Sequence, residues 1–588
     1  MKKLDLIKVF AITAVIASGV RAQTIDWNAQ NITITTAEQL KEFAALVNGN
    51  NDFRGQPITS VEQLKELALH YDAKDFRGQT IKLGNNINLN GSPNNQWTQI
   101  GFLDLELIRT IDELCEENDC SEYENYENNE EIQGMFEKLL MPSFQGTFDG
   151  AGFVISKVYI SDISDSYYHS GLFGMVGENA TIKNLGVSDS YIESSQTRAG
   201  GLAGFNSGII ENCYADANVT GLRAGGLVAW NGGTIKNCYA VGNVQDNSSY
   251  SGGLVGWNYG IIENSYATGN VTGHYSGGLV GGNNYNRDGA NTITNCYATG
   301  NVTAEDIGGG LVGENDGFTI SNCYATGNVT GERDDYNYFG GGLVGSNKGT
   351  IENCYATGDV TSMATSFAYV GGLVGSNHTT TATYDDDMIT FVGTIKNCYS
   401  NGRIIYNENG YSILVGGLVG KNTDSNGEED RENTVISSYY NKETSGQSDD
   451  EDKGTPKTTA EMKQQSTYVD WNFANIWTID AVKNDGYPYL GIIEKQKTAI
   501  AKKSAKKTAQ AVSFAGIKNG QINLNLKSGT YTAQLYNLQG RLIKSVDITA
   551  ANGINATNLR IDNLSKGIFI LNVKQAGTSV LQQKITVK

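Results

Sequence analysis

This sequence predicts an all-β chain: a parallel, right-handed β-helix or solenoid with short capping helices, followed by a C-terminal β-sandwich. Three observations lead there. The pentad Gly252-Gly253-Leu254-Val255-Gly256 returns at Gly277, Gly309, Gly341, Gly371 and Gly416, with looser copies at Gly171, Gly200 and Gly225. After each pentad an Asn and a turn lead into a phrase such as Thr350-Ile351-Glu352-Asn353-Cys354-Tyr355-Ala356. Residues 513–588 then switch to strong apolar–polar alternation broken by Gly and Asn turns, the pattern of a small antiparallel sandwich.

In chain order, residues 1–22 have the layout of a secretory signal peptide. Lys2 and Lys3 open it, Val9 to Val20 is apolar, and Val20-Arg21-Ala22 offers a small-residue cleavage site before Gln23. With the signal removed, no transmembrane span is expected. Residues 23–102 read as an N-terminal capping region with a duplicated helix. In the first copy Thr36 and Gln39 make a capping box, and Leu40, Phe43, Ala44 and Val47 form one apolar helical stripe. The second copy carries Leu64, Leu67, Ala68 and Tyr71, and each copy leads into Phe-Arg-Gly-Gln, at Phe53 and Phe76. An open solenoid exposes strand edges, so such a helix is suited to plugging the first coil. Residues 103–142 are an acidic insertion crowded with Glu113, Glu116, Glu117 and Asp119; without an Asp-x-Asp-x-Asp-Gly pattern it reads as a solvated excursion rather than a calcium loop. Cys115 and Cys120 fall inside it, close enough to bridge locally.

Residues 143–440 are the solenoid. Taking Cys of Asn-Cys-Tyr-Ala as the marker, its copies are Leu185, Cys213, Cys238, Ser265, Cys296, Cys323, Cys354, Cys398 and Ser438, and the shortest intervals are 25 to 28 residues. That length holds three short strands and three turns, one coil of a β-helix, and one coil buries its apolar face only against its neighbours. Leu and Val of the pentad, Ile before Asn-Cys, and Val of Asn-Val-Thr are expected inside. The Asn before each marker (Asn212, Asn237, Asn264, Asn295, Asn322, Asn353, Asn397) is expected to form an amide ladder at a corner. Six cysteines at one position should be a buried column of free thiols, because in-register parallel neighbours point the same way, a poor geometry for disulfides. The residue after Cys points the other way, which makes Tyr214, Tyr239, Tyr266, Tyr297, Tyr324, Tyr355 and Tyr399 an outward aromatic ladder, stacking on itself or meeting a ligand.

These phrases resemble the GLUG repeat of large bacterial surface proteins and adhesins, over residues 171 to 440. The segments around Gly78 to Leu83, Trp97 to Gly101 and Phe144 to Gly150 resemble the region that leads into the repeats of that family. Some GLUG proteins are metallopeptidases that cleave immunoglobulin A, through a separate His-Glu-x-x-His motif. This chain has no His-Glu pair, so the resemblance implies a scaffold or adhesin.

Residues 441–491 read as a C-terminal cap, with a short helix capped by Thr459 and an aromatic cover including Trp471, Phe473, Tyr487 and Tyr489. Residues 492–512 are a Lys-rich linker. In residues 513–588, Ile522, Leu524 and Leu526 mark one strand face and Ile568, Ile570 and Val573 another. Leu535 to Arg541, Leu564 to Phe569 and the terminal Lys584 to Lys588 resemble a type IX secretion sorting domain. That resemblance implies the type IX machinery as a partner and a secreted or outer-surface location on a Gram-negative cell.

A net charge of -19 from 63 acidic and 44 basic residues speaks against nucleic acid as a partner. His70, His169, His274 and His378 lack metal spacing, no nucleophile elbow or phosphate loop occurs, and no cofactor is expected. Candidate contact residues are therefore the Tyr column and the inserted loops, with Asp334 and Asp335 in one and Asp385, Asp386 and Asp387 in another, since insertions gathered on one face of a repeat often bind there. Two functions of different class remain open. One is a non-catalytic adhesin or envelope scaffold binding a glycan or surface protein; the other is a secreted polysaccharide lyase or glycoside hydrolase using loop carboxylates.

Overall fold

The computed structural model describes residues 25–49, 74, 76–101, 143–162, 169–194, 197–284, 291–332, 337–384, 387–423, 435–448 and 452–494, together with the strands of residues 512–587. The signal segment, the second helix copy, the acidic insertion with Cys115 and Cys120, and most of the Lys-rich linker lie outside the described residues. The chain divides into two compact units, Met1–Tyr489 and Leu490–Lys588.

In the first unit each repeat makes one coil with three parallel faces. The Ile face is a 12-stranded sheet of Thr-Ile-x strands, running from Asn31–Ile34 to Val435–Ile436. The Tyr face carries Tyr-Ala strands that continue into Val-Thr strands ending at the pentad, as in Tyr214–Gly225. The Gly face holds nine Val-Gly-x-Asn strands between Phe173–Val176 and Val419–Thr423. Neighbouring coils pair in register, Ile210 with Ile235 and Ile235 with Ile262, so like residues stack into columns. The Ile, Leu and Val columns of the Ile and Gly faces are fully buried and share one core with the cysteines.

Coiling starts earlier than the repeat motif does. Ile32 pairs with Ile81, Ile81 with Phe148 and Phe148 with Ile182, all parallel, so the segments leading into the repeats are coils themselves. The helix Ala37–Val47 covers their open end and buries the expected Leu40, Phe43, Ala44 and Val47. Phe43 packs 5.0 Å from Phe76, 5.6 Å from Phe144 and 5.9 Å from Phe148. Thr36 accepts from the Gln39 N–H at 3.3 Å, but Gln39 reaches back to the N–H of Thr35 rather than of Thr36. At the other end Thr458, one residue before the expected cap, forms a complete capping box with Glu461.

Six thiols, Cys213, Cys238, Cys296, Cys323, Cys354 and Cys398, are buried and free. Each does more than fill space. The Cys296 thiol donates to the Thr294 carbonyl at 3.2 Å, and the Cys296 N–H donates to Cys323 Sγ at 3.3 Å. Ser265 serves in the same way, donating to the Glu263 carbonyl at 2.7 Å and accepting from the Cys238 N–H at 3.1 Å.

The asparagines differ from expectation. Those before the markers sit in the left-handed region, with φ from 51° to 56° at Asn212 through Asn397, a conformation Asn tolerates better than other residues with a Cβ. Their amides meet only at 3.2–3.5 Å where they meet at all. The tight amide ladder belongs to the Asn closing each Gly-face strand. Asn206, Asn231, Asn258, Asn283, Asn315, Asn347, Asn377 and Asn422 are joined by Nδ2–Oδ1 bonds of 2.7–2.8 Å, each donating to the next coil. These eight are at most 4% exposed, and a buried amide needs such partners.

In the second unit, sheets of three and four antiparallel strands bury Ile522, Leu524, Leu526, Leu535, Phe569, Leu571 and Val573 between them. The inward face of the strand Gly567–Gln575 is thus Phe569-Leu571-Val573, with Ile570 on the opposite side.

Candidate functional site

The Tyr column stacks on itself. Successive rings from Tyr214 through Tyr239, Tyr266, Tyr297, Tyr324 and Tyr355 to Tyr399 lie 4.7–5.1 Å apart and within 7° of parallel. Ring faces engaged by neighbours are closed to a ligand, and what the column offers solvent is a row of ring edges. Tyr214 to Tyr297 are half-buried, whereas Tyr324, Tyr355 and Tyr399 are buried. Tyr399 lies under the C-terminal cap, beside Trp471 and Trp477, with its hydroxyl donating to the Pro488 carbonyl at 2.7 Å. Of the loop carboxylates, Asp334, Asp335, Asp385 and Asp386 lie outside the described residues. Asp387 opens the second strand of a hairpin, Thr380–Tyr384 with Asp387–Phe391.

A different strip of side chains collects where the Tyr-face strands turn through the pentad into the Gly-face strands. The register aligns Arg198, Arg223, Tyr250 and Tyr275 on one side of the turn. On the other it aligns Phe205, Trp230, Trp257, Gly282 and Glu314. The pentad glycines bring the two strands together. A Cβ on Gly256 would lie 2.8 Å from the Ala229 carbonyl oxygen and 2.9 Å from that of Ala224, which only glycine accommodates. Side chains from the two sides therefore meet instead of diverging. The Arg198 guanidinium sits 3.7 Å from the centre of the Trp230 ring. Arg223 stands 5.4 Å from Trp230 and 5.0 Å from Trp257. Tyr250 packs edge-on to Trp257 at 4.0 Å and stacks on Tyr275 at 4.8 Å, its ring using the space that Gly282 leaves open.

Further along the strip the chemistry changes. Lys348 Nζ lies 3.2 Å from Glu314 and 2.6 Å from Asp316, and the Tyr250 hydroxyl donates to Glu314 at 3.2 Å. Burial, reinforced by Asp316, raises Glu314 above the usual carboxylate range despite Lys348. Burial alone would lower Lys348, but the two carboxylates outweigh it and hold the ammonium charged. His378 is lowered to about 4 by burial and the Lys348 charge. Two carboxylates gathered on one ammonium form a compact ion cluster, whereas glycoside hydrolysis needs them flanking a bond. Among the described residues no group of three or more His, Cys, Asp or Glu is arranged to hold a metal ion, and no helix is long and apolar enough to cross a membrane.

The strip was missed from sequence because its residues vary from coil to coil. They occupy fixed places all the same, two residues before and five after the first Gly of each pentad, as Arg223 and Trp230 do around Gly225.

Comparison with known proteins agrees with the repeat and the tail. The GLUG motif matches residues 195–220, 221–245, 247–272, 308–330, 338–361 and 368–405, and the secretion system C-terminal sorting domain matches residues 518–588. A protein of Evansella cellulosilytica named "Putative Gly-rich membrane protein" is 44% identical over 79 residues, 13% of this chain and 8% of that protein. Among solved structures, a Bacteroides ovatus protein described as a "putative immunoglobulin A1 protease" is 17% identical at a TM-score of 0.30, covering 78% of this chain and 92% of that one. An "IgA1 Protease" structure is 13% identical at a TM-score of 0.27, covering 94% and 34% respectively. The chain is a GLUG-repeat protein with a type IX secretion sorting domain, and that tail directs it to the outside of a Gram-negative cell, secreted or at the outer surface.

Proposed function

We propose that this protein is a non-catalytic adhesin or envelope scaffold, and that it takes a glycan or a surface protein on the strip beside the pentad turns. The observation that carries this reading is the placement of Arg198, Arg223, Trp230, Trp257 and Tyr250 at aligned positions of consecutive coils, half-buried and in mutual contact. Arginine and large aromatics are the residues that dominate binding surfaces, because they supply area and directed hydrogen bonds at low entropic cost. The fold supplies rigidity, since each of these residues stands on a strand paired on both sides. The Tyr column supports the same scaffold from within its own stack. The test is a glycan array and a turnover assay on the full chain. Saturable binding without product is expected, weakened by Trp257→Ala. Product released from any polysaccharide would sink the non-catalytic reading and favour the lyase or hydrolase alternative.

A further inference from the structure

We infer that the Arg198–Arg223 end of the strip is a subsite for an acidic polysaccharide, a chain of uronate or sulfated sugars lying along the stacked coils. This rests on the binding role proposed above and names the chemistry of its ligand. Arg198 and Arg223 are direct register partners on adjacent coils, so their guanidinium groups recur at the coil spacing of roughly 4.8 Å. A pyranose in an extended polysaccharide advances by a similar length, which lets one sugar address one coil.

Charge points the same way. The chain as a whole carries -19, yet Arg223 has only the Trp230 and Trp257 rings as partners among the described residues, and its Nε is buried without a hydrogen bond. A guanidinium whose face lies against an indole keeps its N–H edge for a carboxylate or sulfate, which it binds as a two-pronged fork. Trp257 and Tyr259, which lie 6.0 Å apart, offer apolar ring surface beside that fork for the carbon face of a sugar. Glu314 and Asp316 gather on Lys348, and Glu314 stands three coils along the strip from Trp230, away from Arg223.

The experiment measures binding of the full chain to polygalacturonate, to chondroitin sulfate and to a neutral galactan, at low and at high salt. Both acidic polymers, or the one whose anion fits, are expected to bind more tightly than the galactan and to weaken as salt rises. Arg223→Gln is expected to cost about tenfold or more in affinity, with Arg223→Lys falling between it and the parent because charge persists and the fork is lost. Lys236→Gln on the Ile face is expected to change nothing. Galactan binding that Trp257→Ala removes and Arg223→Gln spares would overturn the acidic assignment while leaving the scaffold standing. Salt-independent binding by the parent would overturn it as well, and that readout needs no variant to fold. Absence of binding to all three polymers overturns the assignment too, and leaves a surface protein as the scaffold's remaining partner.

Discussion

A thiol that accepts from one coil and donates within its own explains why serine replaces cysteine at Ser265 and Ser438. Cys296→Ser should therefore cost no more than about 1 kcal/mol, measured by urea unfolding. All six column thiols are buried, so they should stay silent to a thiol reagent until the solenoid unfolds and lets it reach them; at Cys213, Cys296 and Cys354 burial also pushes the thiol upward, away from the reactive thiolate. Asn315 is the opposite case. Its amide bonds Asn283, Asn347 and the Phe318 carbonyl, so Asn315→Ala strands a buried donor and a buried acceptor. A loss of roughly 2–4 kcal/mol is expected, read as a lower urea midpoint at unchanged slope; a neutral result would mean that water replaces the amide. The sequence showed that both asparagines recur, but not which was which. A left-handed corner and a buried amide both favour Asn, and only the backbone angle at Asn295 against the burial of Asn283 tells them apart.

Strands and caps were more legible than single side chains, because periodicity reports on faces. The stripe Leu40-Phe43-Ala44-Val47 is buried as its spacing requires. Misplacement by one residue occurred where two adjacent apolar or hydroxyl residues compete. Thr458 rather than Thr459 caps its helix, and Phe569 rather than Ile570 lies on the inward face of its strand. The binding strip was legible only in principle, since a repeat announces the positions that do not change and a ligand is read by those that do. The N-terminal helix is a plug on a quasi-one-dimensional stack. Phe43→Ala should cost about 3–5 kcal/mol locally, and hydrogen exchange should show lost protection in Thr80–Leu83 and Thr147–Asp149 while coils beyond Asn258 stay protected. Uniform loss along the stack would show that the first unit unfolds as one body.

Acid should weaken the whole first unit. Burial lowers both His169 and His378, the latter to about 4. An unfolded histidine takes its proton near 6.5, so between that value and about 4 the unfolded chain holds more protons than the folded one, and stability falls as pH falls. Above that window these groups contribute no slope. His378→Gln should flatten the profile across it by on the order of 2 kcal/mol, checked by urea titration at several pH values; an unchanged slope would mean that His378 charges freely in the native state. The in-register coil has a further consequence, an evolutionary one. Each coil hands the next the same Ile, Cys and Asn contacts whatever stands before and after its pentad. Recombination between the coding repeats therefore lengthens or shortens the gene product in whole coils without breaking its reading of itself. Point changes at the two variable places rewrite what the surface displays one letter at a time, while the interior grammar stays fixed.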